Sequence, residues 1–185
     1  MKLTIRKRVP MNKKFSFWIP HLMFVIAGIV LDQATKFWAV GTLKGNNPIV
    51  LIKGVLELRY LENRGAAFGM MQGGRTIFLI ITPIVLAAIA YMLYKMPPEP
   101  KYRILNILLD CIAVGAIGNM IDRIWLNYVV DFIYFSLINF PIFNVADIFV
   151  SVSSVIGAVL ILFVKPYKDE DFSFLSLKSK GEEDA

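Results

Sequence analysis

Apolar residues in this chain fall into four long blocks separated by short charged stretches. A bilayer core of ~30 Å takes ~20 helical residues. The blocks at about 17–40, 75–95, 103–123 and 147–165 reach that length, each with charge near its ends. Trp18 and Trp38 bracket the first block, as interfacial aromatics do. Between the first and second blocks the pattern changes. Residues 49–53 and 55–62 are rich in β-branched and aromatic types, 55–60 partly alternate, and Gly54 separates the runs. A small sheet at about 46–63 is expected there, followed by a short interfacial helix over 65–71. The predicted fold is an all-α membrane protein, with four transmembrane helices and a small extracytoplasmic β-sheet between helices 1 and 2. It divides into a basic cytoplasmic segment 1–16, a helical domain 17–165 and a polar cytoplasmic tail 166–185.

Charge placement gives the orientation. Lys2, Arg6, Lys7, Arg8, Lys13 and Lys14 precede the first block. Lys95, Lys101 and Arg103 flank the second connection, and Lys165 and Lys168 follow the fourth block. Positive residues collect on the cytoplasmic side, so both termini are expected inside. The third connection, with Arg123 alone, is expected outside. The first connection carries Lys44, Lys53, Arg59 and Arg64, but it is long and expected to be folded, so it weighs less. The basic N-terminus reads as a topogenic signal rather than a nucleic-acid contact. The first apolar run is too long for a cleaved leader and lacks a small-residue cleavage pattern.

Composition narrows the chemistry. Hydrophobic residues make up 57% of the chain and charged ones 18%, against ~45–50% and ~25% in soluble domains. One cysteine, Cys111, cannot form an internal disulfide, and one histidine, His21, cannot build a multi-histidine zinc site. No metal or other cofactor is implied.

The polar residues within and beside the spans are the candidate machinery. Asp32 lies ~21 Å from the inner interface by helical rise. Asn119, Asp122 and Arg123 end the third block on its outer side, while Asn144 and Asp147 begin the fourth. Asp131 lies between them in an outer connection, read as a loop, and Asn63 and Arg64 precede the second block. Taken singly, each has an ordinary reading. Asn144 or Asp147 would cap a helix, and Asp122 and Arg123 would form a solvated pair. Together they exceed what capping needs. Asp110 is different, ~10 Å into the inner half with Asn106 one turn away, and reads as locally paired or reached by water. Cys111 reads as packing.

Five segments also carry a family resemblance. DQATK at 32–36, NRGAAFGM at 63–70, GAIGNMIDR at 115–123, VVDF at 129–132 and FNVAD at 143–147 stand in this order. The chain resembles the lipoprotein signal peptidases (signal peptidase II) over roughly residues 17–165. The resemblance implies a bacterial inner-membrane aspartic endopeptidase with its active site at the outer face. Asp131 and Asp147 would form the catalytic dyad, supported by Asp32, Lys36, Asn63, Gly65, Asn119, Asp122, Arg123 and Asn144. The implied partners are membrane lipids and a prolipoprotein, cleaved just before a diacylglyceryl-modified cysteine. The cyclic peptide antibiotic globomycin would be an inhibitor. Two features depart from the pattern: Asp110 belongs to none of the motifs, and Ile133-Tyr134-Phe135 follows VVDF where an acidic residue is common before the phenylalanine.

Two carboxylates suit amide hydrolysis, which needs a base for water and an acid for the leaving nitrogen. Like charges ~4 Å apart repel by ~4 kcal/mol at an effective dielectric near 20, or roughly three pKa units. One carboxyl can then keep its proton at neutral pH. Other classes are weaker. Ser136 with Lys36 or Lys44 shows no pairing pattern. A small ion- or proton-coupled transporter would spread its acids through the bilayer and show inverted repeats. An assembly factor would tolerate loss of either aspartate.

Overall fold

The computed structural model describes residues 11–65, 74–164 and 172, the side chains of 11–17 excepted. Its helices are α1 (Met11–Leu43), α2 (Arg75–Lys95), α3 (Arg103–Trp125) and α4 (Val145–Val159), the last continuing as a π-helical turn over Leu160–Val164. All four are long and apolar enough to cross a membrane, with mean hydropathies of 1.4, 2.4, 1.9 and 2.4 in chain order. α1 begins earlier than the apolar block alone suggested, because polar residues extend it at the N-terminal end. The expected helix over 65–71 falls, except for Gly65, outside the described residues, as do the tail 166–185 apart from Phe172 and most of the basic segment.

α3 is the axis of the bundle, packing against α1, α2 and α4. Small residues permit that, since in lipid helices gain by close van der Waals approach rather than by hiding from water. A Cβ on Gly115 would lie 2.3 Å from the Ala146 carbonyl oxygen of α4, and one on Gly118 would lie 2.5 Å from Asp32 Oδ2 of α1. Outward faces remain apolar and exposed, as at Phe37, Ile84, Val155 and Phe163, which fits a hydrocarbon solvent.

The sheet has three strands in the antiparallel order β1 (Ile49–Ile52), β2 (Leu56–Asn63) and β3 (Val129–Phe135). The first two were expected. The third was not, because residues 129–132 were read as a loop around Asp131. The run VVDFIYF is β-branched and aromatic, so the strand signal was present. β3 ties the α3–α4 connection to the α1–α2 connection, pairing Leu61 with Asp131 and Asn63 with Val129 beyond a register shift that falls between Leu58 and Leu61. Val130 and Phe132 pack with Ala39 and Leu43 of α1, which fixes the sheet to one end of the bundle.

Candidate active site

The site is built on an ionic knot inside the bundle. Asp32 and Lys36 stand four residues apart on α1, hence on one helical face. Lys36 Nζ lies 2.9 Å from Asp32 Oδ2 and 3.1 Å from Asp122 Oδ2, and donates to Asn119 Oδ1 at 2.9 Å. Its three donors are therefore all engaged. Asp32 is 0% exposed and Lys36 3%, so unpaired charges there would be strongly destabilising. Both carboxylates accept further hydrogen bonds. Asp32 Oδ1 accepts from the Ala146 backbone N–H, and Asp122 Oδ2 from that of Val130. Gln33 Nε2 reaches both carboxylates at 3.1 Å. Gln33 was not singled out in the sequence, although it lies inside the DQATK segment.

Two asparagines carry this order outward to the aspartates. Asn119 Nδ2 donates to Asp147 Oδ1 at 2.8 Å. Asn144 Nδ2 donates to Asn119 Oδ1 at 3.1 Å and to Asp131 Oδ1 at 2.6 Å. Asn144 also caps α4. Its Oδ1 accepts the Asp147 N–H, and its own N–H donates to Asp147 Oδ2 in a reciprocal capping box. The capping reading made from sequence is thus correct, and the same residues also line the site. Asn63 Nδ2, on the last residue of β2, donates to Asp131 Oδ2 at 2.8 Å, and Asn63 Oδ1 accepts the Gly65 N–H.

Asp131 sits on β3 and is 1% exposed. Burial, and then the like charge of Asp147, push its pKa up to about 7, against the pull of the Asn63 and Asn144 donors. Asp131 and Asp147 share the lining of a cavity of about 720 Å³ with Asn63, Gly65, Asn119 and Arg123. Below these polar groups the cavity continues between α2 and α4 along Ile81, Val85, Ile148 and Val152. The result is a polar head on an apolar cleft. Among the described residues no group of three or more His, Cys, Asp or Glu side chains is arranged to hold a metal.

Every site residue expected from sequence and described here lies at this end. Asp131, Asp147, Asn63, Gly65, Asn119 and Arg123 line the cavity, while Asn144 joins the two aspartates and Asp32, Lys36 and Asp122 lie beneath. Arg123 differs in detail from the expected partnership with Asp122. Its Nη1 donates to the Asn119 carbonyl, its guanidinium lies 4.3 Å over the Phe78 ring, and Lys36 takes the Asp122 carboxylate instead. Arg64 is exposed and pairs with Glu62 at 3.3 Å. Asp110 stands at the other end, 2.6 Å from His21 Nδ1. Its local pairing was anticipated, but the partner was not, since nothing in the sequence links residues 89 positions apart.

Comparison with known proteins agrees with this geometry. The family described as signal peptidase (SPase) II matches residues 24–164. The lipoprotein signal peptidase of Clostridium tetani is 40% identical over 152 residues, covering 80% of this chain and 96% of the relative. That of Caldanaerobacter subterraneus is 43% identical over 143 residues, covering 77% and 95%. Two solved structures titled as bacterial membrane enzymes superpose with TM-scores of 0.67 and 0.68 at 27% and 30% identity, each over 93% of its own length. They cover 86% and 78% of this chain respectively. A family match over residues 24–164, with relatives about 40% identical over most of the chain, makes this protein a member of the signal peptidase II family.

Proposed function

We propose that this protein is an aspartic endopeptidase that removes the signal peptide from diacylglyceryl-modified prolipoproteins, hydrolysing the peptide bond just before the lipidated cysteine. The observation that carries this reading is the linkage of Asp131 and Asp147 through Asn144, at the polar head of a cleft that is apolar below. With Asp131 near a pKa of 7, the pair holds one proton at neutral pH. The ionised carboxylate takes a proton from water, and the oxygen attacks the scissile carbonyl. The protonated carboxyl then donates to the leaving nitrogen as the C–N bond breaks. Coupled carboxyls titrate as a pair, so the two roles belong to the dyad as a unit.

The remaining residues have supporting parts in this reading. Asn119 and Asn144 orient the carboxylates, Asn63 holds Asp131 and the loop at Gly65, and the Asp32–Lys36–Asp122 knot fixes the floor. Arg123 supplies positive charge beside the cavity. The acyl chains run down the α2–α4 cleft and the signal peptide lies against the sheet. The positive charges favour both termini in the cytoplasm and the dyad at the outer face of a bacterial inner membrane. Globomycin, a cyclic peptide antibiotic, would in this reading occupy the same cleft and compete with substrate.

The test replaces Asp131 or Asp147 by Asn and follows a lipidated precursor on gels. Each variant is expected to fold, by its thermal melting profile in detergent, yet to leave the precursor uncut. Normal cleavage by a folded variant overturns the dyad, and altered ion flux with cleavage intact favours a transporter.

A further inference from the structure

The loop between β3 and α4 forms an apolar collar on the site cavity. Alternate residues of a strand share a face, so Asp131 and Phe135 of β3 point the same way, and both line the cavity. Beyond Phe135 the chain makes a 3-10 turn over Ser136–Ile138 and reverses at Asn139, whose φ of 49° and ψ of 42° are left-handed. Asparagine tolerates that conformation better than most residues with a side chain. The returning backbone is tied down. Phe140 N–H donates to Phe135 O at 3.1 Å, and Phe143 exchanges N–H···O bonds of 3.0 and 2.8 Å with Ile133. The Phe143 ring stacks on Phe135 with centroids 5.9 Å apart and meets Phe140 edge-on at 5.7 Å. All three rings and Ile142 line the cavity, and Phe135 and Phe140 stay exposed. Tyr134 holds the turn from the opposite face of the strand. It is the residue at which VVDFIYF departs from the family pattern. Its hydroxyl donates to Asn139 Oδ1 at 2.6 Å, and the Arg59 guanidinium lies 4.8 Å over its ring, itself paired with Glu57 at 3.2 Å.

We propose that this collar is a subsite for apolar side chains of the leader peptide, with Tyr134 as its positioning residue. The proposal rests on the peptidase reading of Asp131 and Asp147. Spacing along β3 selects the part of the substrate. Asp131 and Phe135 are four strand residues apart, ~13 Å. A peptide lying extended along β3 has the residue that owns the scissile carbonyl at Asp131. Its fourth and fifth residues before the cut then fall beside the three rings. The acyl chains have the α2–α4 cleft along Ile81, Val85, Ile148 and Val152, whereas the collar stands on the sheet side. The Tyr134–Asn139 bond acts through the turn, because Asn139 directly precedes Phe140 and its left-handed backbone sets where that ring lies. The ordinary alternative is a loop that only rests on the bilayer through its exposed Leu137 and Ile138.

The test measures cleavage by the full-length protein in detergent with two lipidated precursors. One has leucine at the fourth and fifth positions before the cut, the other serine at both. The wild type should show a KM about tenfold lower for the leucine precursor. Tyr134→Phe removes the donor, and Asn139→Gly keeps the left-handed turn without the acceptor. Each should raise KM for the leucine precursor roughly fivefold, with kcat little affected and the serine precursor hardly touched. The double variant should do no more than either single one. In a second measurement on the wild type, benzoylphenylalanine stands at the fifth position before the cut. Irradiation should label residues 135–143, read by mass spectrometry of the digested adduct. Equal KM shifts for the two precursors, or label confined to the α2–α4 cleft, overturns the subsite while leaving the peptidase standing. If the wild type cuts neither precursor, the peptidase reading falls and the subsite with it.

Discussion

The side-chain amide of Asn144 donates to the Asp131 carboxylate across 2.6 Å, while the same residue exchanges two hydrogen bonds with Asp147 as the cap of α4. One side chain therefore sets both the start of a helix and the spacing of two acids. Asn144→Ala should separate these effects. Loss of the cap costs ~1 kcal/mol of stability, read as a modest fall in melting temperature. Loss of the link to Asp131 should lower kcat by at least about tenfold, with little change in KM. A variant that melts lower but cleaves at the wild-type rate would show that the asparagine only caps.

The raised pKa of Asp131 gives a signed prediction for stability. Its value rises from 3.8 to about 7 on folding, so ionisation disfavours the folded state. The stabilising contribution is complete below the unfolded value and is lost as pH climbs through the folded one. Between pH ~4 and ~7 the wild type should lose up to about 4 kcal/mol relative to Asp131→Asn. Parallel melting profiles of the two proteins across that range would contradict it.

Activity should respond to the same group. A shared proton requires one carboxyl to remain protonated, so the rate should fall as pH rises past about 7. Asn63 donates to the ionised form of Asp131. Asn63→Ala should raise the pKa and move the alkaline limb of the rate profile upward by roughly one unit. A downward move would mean that Asn63 acts elsewhere.

Lys36 compensates two buried carboxylates. Lys36→Met should cost roughly 3–5 kcal/mol, because it leaves the buried Asp32 and Asp122 carboxyl groups without their cationic partner. Adding Asp32→Asn should recover part of that loss, a coupling measurable by a double-mutant cycle. No recovery would mean that the lysine is held chiefly by packing.

The close approach of α3 and α4 predicts a steric effect. A methyl group on Gly115 would fall 2.3 Å from the Ala146 carbonyl oxygen, and backbone cannot yield as a side chain can. Gly115→Ala should cost at least ~1–3 kcal/mol and reduce cleavage by shifting Asp147. A neutral outcome would indicate looser helices than described.

Much of this fold was legible in the chain. The spans follow from block length, and β1 and β2 from residue type and Gly54. The candidate residues were visible as polar groups at one end of apolar blocks. What local pattern could not supply was partnership. Lys36 serves Asp122 rather than leaving it to the adjacent Arg123, because α1 and α3 touch at Gly118. His21 meets Asp110 for the same kind of reason. β3 was missed because an aspartate within it drew the reading toward a loop, although the pairing of β2 with β3 buries that residue.

The order in which these parts leave the ribosome has a consequence of its own. β2 is synthesised some seventy residues before the strand that completes it, and the helix bearing Asp147 comes last. A half-made chain therefore has neither acid, and a sheet edge still waiting for its neighbour. With the proposed dyad divided in this way, competence to cut would arrive only once α4 has followed β3, and the nascent polypeptide would be inert towards its surroundings until then.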